Sequence, residues 1–189
     1  MSETEVFYPE SQADWREWLE KNHQSEQAVW VVFYGKKSKN KSLSWSAAVD
    51  VALCFGWIDS KKIKIDHETS HQFFSKRKPN STWSKINKDK VVQLIDQGLM
   101  APAGYAAIET AKKNGSWFIL DEVEELIIPA DLESAFALHA GSKDYFLGLS
   151  KSIRKMMLTS IVLARRPETR QKRIDEIALL AARKMKPNG

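Results

Sequence analysis

The chain has 189 residues and a mass of 21.6 kDa, with 29 basic and 24 acidic residues and a net charge of +5 at neutral pH. Hydrophobic residues make up 43% of it, which is enough for a packed core and excludes a fully disordered chain. The single cysteine, Cys54, excludes an intramolecular disulfide and a cysteine-only metal site. No apolar run approaches the ~18 residues of a membrane-spanning helix. Because the acidic N-terminus also lacks the pattern of a secretory signal, we expect a cytoplasmic protein.

The modest net charge conceals an uneven distribution. Residues 1–34 contain seven acidic and two basic residues, a net −5, whereas 35–92 contain thirteen basic and five acidic ones, a net +8. Residues 121–142 contain six acidic and no basic residues, and 143–189 contain twelve basic and four acidic ones, again a net +8. Basic and acidic blocks therefore alternate, and pairing within the chain can largely neutralise them.

The N-terminal segment begins with a helix and a strand. Ser11 has capping-box spacing to Asp14 and precedes a helix that we expect to end near Asn22. Residues 28–34 are β-branched and aromatic without a polar face, a pattern typical of a buried strand.

A second helix and a hairpin follow. Ser44 can cap a helix that runs to about Gly56. Residues 57–66 and 71–76 have strand character, and the polar stretch 67–70 between them predicts a hairpin connection.

The rest of the chain is predicted to be helical. Ser81 or Ser84 caps one helix and Pro102 opens the next. After an acidic connection at 121–129, further helices begin at capping residues or at a proline. These starting residues are Asp131, Ser142, Ser150 or Ser152, and Pro167.

These elements predict an α+β fold in which a small antiparallel β-sheet packs with helices and a C-terminal helical subdomain of about four helices follows. We place the α+β domain at residues 1–120 and the helical subdomain at 121–189, and we expect them to form one compact unit.

Few residues have the spacing of a known catalytic or metal site. Motifs for dinucleotide, P-loop, zinc-protease and serine-hydrolase sites are missing, so we expect no cofactor. His67 and His71 flank the predicted hairpin connection rather than sharing a helical face, so we expect no metal site. Asp50 lies one helical turn before Cys54 and would raise the pKa of its thiol. We therefore interpret Cys54 as a small buried residue and not as a nucleophile.

Residues 73–87 have the densest mixture of aromatic and basic side chains. This mixture suits stacking against a ring combined with neutralisation of a phosphate, and the amides at the following helix N-terminus suit an anion. The alternative is structural, with a solvated basic loop, a serine cap and Trp83 packed into the core.

A second group of cations, within residues 165–173, lies at the start of the last predicted helix. Positive charge there opposes the helix dipole, so a compensating interaction is expected. We predict that the acidic residues at 121–133 supply it.

Four segments together resemble one family of bacterial proteins. They are residues 52–59 (ALCFGWID), 77–87 (RKPNSTWSKIN), 98–104 (GLMAPAG) and 165–174 (RRPETRQKRI). The chain resembles the YdeI/OmpD-associated, or OmdA-like, family, also described as bacteriocin-protection proteins, from about residue 8 to residue 183. Ser60 stands where that family usually has glycine, and Lys76 where it usually has proline.

The resemblance implies a link to envelope stress and to resistance against antimicrobial peptides, and some members are described as periplasmic. It supplies no catalytic residues. Its tryptophan- and arginine-bearing motifs identify seven candidate ligand-binding residues, which could equally be a signature of the fold. They are Trp57, Asp59, Arg77, Ser81, Trp83, Ser84 and Asn87.

We favour a non-catalytic binding protein for an anionic small molecule or a phosphorylated group. In this interpretation Arg77 and the amides near Ser84 hold the anion, while Trp57 and Trp83 stack against the rest of the ligand. A nucleic-acid-binding module that uses residues 36–41, 76–78 and 165–173 is the first alternative. An enzyme with Asp59 or Asp50 as its base is the second.

Overall fold

The computed structural model describes residues 4–187, and the chain divides into two compact units, Met1–Trp117 and Phe118–Gly189. The first unit holds the described strands together with helices, and the second is helical. The structure therefore confirms the predicted α+β class.

The sheet of the first unit has four strands in the order β1-β2-β4-β3. Their bounds are β1 Val6–Phe7, β2 Ala28–Tyr34, β3 Trp57–Lys64 and β4 Thr69–Lys76. As predicted, β3 and β4 form an antiparallel hairpin, and β4 also pairs antiparallel with β2. The two-residue strand β1, which the sequence did not predict, adds to β2 in parallel and makes the sheet mixed.

Four helices of the first unit follow the cap signals of the sequence. They are α1 Gln12–Asn22, α2 Trp45–Cys54, α3 Lys85–Asp96 and α4 Pro102–Lys113. The capping box of α1 is complete, since the Ser11 hydroxyl accepts the Asp14 amide and the Asp14 carboxylate accepts the Ser11 amide. Ser44 caps α2, and Ser84 rather than Ser81 caps α3.

The core of the first unit lies on one face of the sheet. On β2 the side chains of Val29, Val31 and Phe33 alternate inward, and Phe74 of β4 joins them. Trp15, Trp57 and Trp83 are among its largest fully buried side chains. Aromatic side chains therefore fill much of the volume of this core.

Two glycines allow the end of α2 and the start of α4 to approach closely. A Cβ at Gly104 would lie 2.3 Å from the carbonyl oxygen of Cys54, and a Cβ at Gly56 would lie 3.0 Å from the carbonyl oxygen of Ala103. Gly56 also has a φ of +71°, a left-handed conformation that favours glycine. The Ala101 amide donates to the same Cys54 carbonyl at 3.0 Å, which fixes the position of α4 against α2.

The second unit contains five helices within residues 118–187. They are α5 Asp121–Glu124, α6 Ala130–Ala137, α7 Ser142–Leu147, α8 Lys151–Val162 and α9 Pro167–Ala182. The acidic segment that we predicted as a connection forms the single turn α5, so the count exceeds the predicted four by one. Ser150 caps α8 and Pro167 opens α9, as predicted.

Two predicted caps in the second unit were wrong. Asp131 does not cap α6, because the Pro129 carbonyl already accepts the Glu133 amide and the helix begins two residues earlier. Ser142 does not cap α7, because Gly141, at a φ of +76°, takes that position. The buried Ser142 hydroxyl instead donates to the Phe136 carbonyl at 3.1 Å.

One cation at the start of α9, Arg170, is compensated by the acidic segment at 121–133, as predicted. Arg170 donates through Nε and Nη2 to the two carboxylate oxygens of Asp131, at 2.7 and 3.0 Å. Arg173 donates to the Ser160 carbonyl. Within residues 4–187, no helix is both long and apolar enough to cross a membrane.

We predict that Gly104→Ala lowers the free energy of unfolding of the first unit by about 2 kcal/mol or more, since its Cβ would overlap the backbone of Cys54. All seven tryptophans lie in the first unit, so tryptophan fluorescence in urea monitors this unit selectively. Gly35→Ala is the control: its Cβ would meet only the Glu68 carbonyl at 3.5 Å, and it should change stability by less than about 0.5 kcal/mol. Equal stability of the two variants would contradict the close contact.

We predict that Asp131→Asn destabilises the second unit by up to about 1 kcal/mol at pH 7, because it removes a half-exposed bidentate ion pair. The hydrogen bonds from Arg170 hold the pKa of Asp131 below its ordinary value of 3.8. The pair therefore stabilises the fold above pH 3.8, and this contribution disappears as the pH falls through the folded-state pKa.

Far-UV circular dichroism during urea unfolding at pH 7 and at pH 2.5 measures this effect. The exposed Glu125→Gln is the control for loss of one carboxylate. A deficit of Asp131→Asn that is undiminished at pH 2.5 would show that the ion pair is not its cause.

Candidate functional site

A groove of about 970 Å³ lies in the first unit, between the start of α4, the end of α1 and the loops beside the sheet. We call it the Arg77 groove. Its lining includes Arg16 and His23 of the α1 region, Phe55–Trp57, Lys76 and Arg77, and Met100–Ala103. Three of the four motif segments, at 52–59, 77–87 and 98–104, therefore contribute to one groove.

Backbone contacts bring these three segments together. The Arg77 amide donates to the Gly56 carbonyl at 2.9 Å, which joins the end of β4 to the α2–β3 turn. Gly104 admits the start of α4 against the carbonyl of Cys54 on the other side of the same turn. The three motifs, which are separate in the sequence, therefore meet at one packed junction around Gly56.

The Arg77 side chain is held between the groove and the core. Its guanidinium carbon lies 3.6 Å from the centroid of the Trp83 ring, and its Nη1 donates to the Thr82 carbonyl at 3.1 Å. Trp83 is almost fully buried, so its ring packs against the Arg77 guanidinium on the core side and is not exposed for a ligand to stack on. Burial lowers the pKa of Arg77 to about 10, with Asp59 acting in the opposite direction, and the guanidinium stays charged at neutral pH.

Two buried donors among the groove-lining residues have no acceptor within the described part of the chain. They are the Nε of Arg77 and the indole Nε1 of Trp57, and Trp57 is fully buried. A buried donor without an acceptor costs free energy, and native structures contain few of them. Each belongs to a residue that lines the groove, so each is a candidate donor to a bound acceptor.

The loop that carries Arg77 is fixed from the far end of α4. Asn114 donates from its side chain to the Pro79 carbonyl at 2.8 Å, and the Ser116 hydroxyl donates to the same carbonyl at 3.3 Å. Asn114 and Ser116 were not among the predicted site residues. Their only sequence signal was the helix-ending Asn114-Gly115 pair. This pair indicates a turn, but it does not indicate that the turn binds the loop that carries Arg77.

The remaining groove residues add charge and an imidazole. The Arg16 guanidinium pairs with Glu20 at 3.0 Å and lies over the Phe55 ring, and Lys76 donates to the Gln24 carbonyl at 2.7 Å. His23 places Nδ1 2.8 Å from the Leu19 carbonyl. Since a carbonyl only accepts, Nδ1 carries the proton, and Nε2 is the nitrogen left for a ligand.

The structure brings together some of the seven predicted site residues and separates others. Trp57 and Arg77 line the groove, and Trp83 contacts Arg77 from behind. Asp59 accepts the Trp45 indole at 2.9 Å and, more weakly, the Gln72 amide. Ser84 caps α3 by accepting the amide of Asn87, and the Ser81 amide donates to the Lys78 carbonyl. Ser81, Ser84 and Asn87 do not line the groove.

Asp50, one of the two bases of the enzyme alternative, and Cys54, which we interpreted as a small buried residue, both have partners within the chain. Asp50 forms a salt bridge with Lys90, and Cys54 donates to the Asp50 carbonyl. Burial, with a smaller contribution from Asp50, raises the pKa of the Cys54 thiol and thereby confirms the predicted direction. Within residues 4–187, no group of three or more His, Cys, Asp or Glu side chains is arranged to hold a metal ion.

Comparisons with known proteins divide the chain in a similar way to the structure. The chain belongs to the family described as a domain of unknown function (DUF8412), whose model matches residues 7–107. Residues 125–184 match the family described as Bacteriocin-protection, YdeI or OmpD-Associated. The resemblance drawn from sequence is thus confirmed for the C-terminal segment, while the three groove motifs lie within the first match. No curated protein and no solved structure matches the chain.

We predict that Cys54 reacts slowly with iodoacetamide or a disulfide reagent in the native protein, because its thiol is buried and its pKa is raised. The rate should rise by orders of magnitude in 6 M guanidinium, where the thiol is exposed. Rapid native modification at pH 7, measured by mass spectrometry, would instead identify an activated cysteine.

Proposed function

We propose that the Arg77 groove binds a small molecule that carries a phosphate or carboxylate group on an apolar body. The observation that supports this most directly is the pair of acceptor-free buried donors, Arg77 Nε and Trp57 Nε1, at one groove. An anionic oxygen accepts from both kinds of donor, and hydrogen bonds to charged groups are the stronger class.

The electrostatics of the groove favour an anion. Arg16, Lys76 and Arg77 line it, and the one lining carboxylate, Glu20, is paired with Arg16. Helix α4 begins in its wall without a side-chain cap, at Ala101, with a proline as its first residue. The positive end of the α4 dipole therefore adds to the side-chain cations.

The rest of the lining is apolar and suits the body of the ligand. Phe55 and Met100 lie in the groove beside three small residues of α4, Ala103, Ala106 and Ala107. Alanines leave room next to the helix, and the volume of about 970 Å³ is at the upper end of the usual range for ligand sites. A ligand that joins an anionic group to a ring or a short alkyl chain would place its charge at the cationic side of the groove and its apolar part at the apolar side.

Binding without catalysis agrees with how the nearby reactive groups are used. Asp50 is paired with Lys90, Asp59 accepts the Trp45 indole, and Cys54 is buried with a raised pKa. In this proposal Arg77 and Trp57 contact the ligand and Trp83 supports Arg77. Ser81, Ser84 and Asn87 shape the loop and the start of α3.

The biological context that we propose follows the family description of residues 125–184, which names bacteriocin protection. If the groove serves that role, a strain that lacks the gene becomes more sensitive to antimicrobial peptides. The gene encoding the wild-type protein then restores resistance, and the gene encoding Arg77→Gln does not. If the gene encoding Arg77→Gln restored full resistance, the groove would have no role in protection against these peptides.

Phenyl phosphate and benzoate are suitable probes, because each joins an anionic group to a ring. We predict that one or both bind the wild-type protein in isothermal titration calorimetry, and that Arg77→Gln weakens binding at least tenfold by removing a charged hydrogen bond. Binding should persist from pH 6 to pH 9, since Arg77 stays protonated below its pKa of about 10.

Lys78→Gln is the matched control, because it removes the same charge from an exposed neighbour that does not line the groove. It should change affinity less than twofold. Equal losses in the two variants would point to general charge attraction, and no loss in either would exclude Arg77 from the site. Circular dichroism confirms that both variants are folded.

A further inference from the structure

The sheet of the first unit has a second face, opposite the one that carries Val29, Val31 and Phe33 of the core cluster. Residues alternate along a strand, so Trp30, Val32 and Tyr34 of β2 point away from the face that carries Val29, Val31 and Phe33. On β4 the same outer face carries His71 and Phe73, which pair in register with Val32 and Trp30. We call this surface the outer sheet face.

Aromatic rings form two groups along the outer sheet face, which together we call the aromatic strip. The Trp30 and Phe73 rings meet edge to face with centroids 4.9 Å apart, and His71 lies 6.5 Å from Trp30. Tyr34 contacts Tyr8 at 5.1 Å, also edge to face. Trp30, His71 and Phe73 are only half-buried, and Ile63, next to His71 on β3, is 40% exposed. The strip is thus accessible to a partner.

One lysine lies over this strip, and a basic loop lies beside one end of it. The Lys61 ammonium lies 5.1 Å from the centroid of Trp30 and 5.3 Å from that of Phe73. At the other end, the Tyr8 hydroxyl donates to the Lys41 carbonyl and so places the basic loop 36–41 beside the Tyr8–Tyr34 pair. The loop lysines are exposed or nearly so, and none forms an ion pair with a carboxylate in the described part of the chain. They are Lys36, Lys37, Lys39 and Lys41.

We propose that the outer sheet face binds single-stranded nucleic acid, with bases stacked on Trp30, His71 and Phe73 and phosphates directed to Lys61 and to loop 36–41. Stacking rings on an open sheet together with cations along the path of the strand are the two requirements of such a surface. This site is separate from the Arg77 groove, so it extends the proposed function and does not depend on it.

Geometry favours a single strand over a duplex. His71 and Phe73 are two residues apart on one face of β4 and so lie ~6.6 Å apart along the strand, a spacing at which each can hold one unstacked base. In a duplex the base faces are already stacked on each other and only their edges and the phosphates are accessible. At the hairpin turn, the Asp66 carboxylate is engaged by the amides of Glu68 and Thr69. Lys61 and the four lysines of loop 36–41 outnumber the two acidic residues of that turn, Asp66 and Glu68.

The experiment measures fluorescence anisotropy of labelled 12-nucleotide single strands, one DNA and one RNA, with a duplex of the same sequence for comparison. We expect single strands to bind more tightly than the duplex at low salt. Trp30→Leu should weaken binding roughly tenfold because it keeps an apolar side chain but loses the ring, whereas Trp30→Phe should retain most of the affinity. The DNA and RNA arms decide which nucleic acid is preferred.

Replacing Lys36, Lys37 and Lys39 by glutamine should flatten the plot of log affinity against log salt by about 0.7 for each phosphate of a single strand that these lysines neutralise. Arg77→Gln, which alters the other site, should leave oligonucleotide binding unchanged. The proposal is overturned by absence of binding at low salt, by equal affinity of Trp30→Leu and Trp30→Phe, or by preference for the duplex. A dimer in light scattering that Trp30→Leu dissociates would also overturn it, since the face would then serve a second copy.

Discussion

The contact between the end of α2 and the start of α4 is the constraint on which the first unit depends. The Cys54 carbonyl accepts the Ala101 amide and lies where any side chain larger than hydrogen at Gly104 would have to be. Gly56 then turns the chain with a positive φ and presents its carbonyl to the Arg77 amide. One junction therefore sets the direction of β3, the start of α4 and the position of Arg77.

This junction also explains why the groove is charged on one side and apolar on the other. Alanines at 101, 103, 106 and 107 let α4 approach closely, and they become the apolar wall. Arg77 leaves β4 at the opposite wall and rests on the Trp83 ring, where burial lowers its pKa. A cation that is partly removed from water and retains a donor without an acceptor is costly for folding alone, and such a cost is typical of a binding site.

Much of the fold could be predicted from sequence because its signals are local. The Ser11, Ser44 and Pro102 starts, the strand at 28–34 and the hairpin all follow from caps, periodicity and turn residues. Asp131 and Ser142 were assigned wrongly as caps because Pro129 and Gly141 occupy the N-cap positions, and neither has the side-chain oxygen by which a cap is recognised in sequence. Strand β1 depends on pairing with a distant partner and has no local signal.

Two of the seven residues proposed from sequence, Trp57 and Arg77, line the groove, and Trp83 lies behind Arg77. The sequence singled out Trp57, Arg77 and Trp83. It could not show that Trp83 is buried against the Arg77 guanidinium, because a tryptophan that packs in the core and one that stacks on a ligand give the same sequence pattern. The outer sheet face escaped prediction for a similar reason. Trp30 alternates with core residues in an entirely apolar strand, and only the position of the helices shows which face stays open.

The indole proton of Trp57 provides the most direct test of the central claim that the buried donors of the groove await an anionic oxygen. In a proton–nitrogen correlation spectrum the Trp57 indole signal, assigned by its loss in Trp57→Phe, should shift downfield on titration with phenyl phosphate or benzoate as it gains an acceptor. The Trp45 indole, already bonded to Asp59, should stay in place. A Trp57 signal that does not move at saturating probe, or one that moves no more than that of Trp45, would contradict the account.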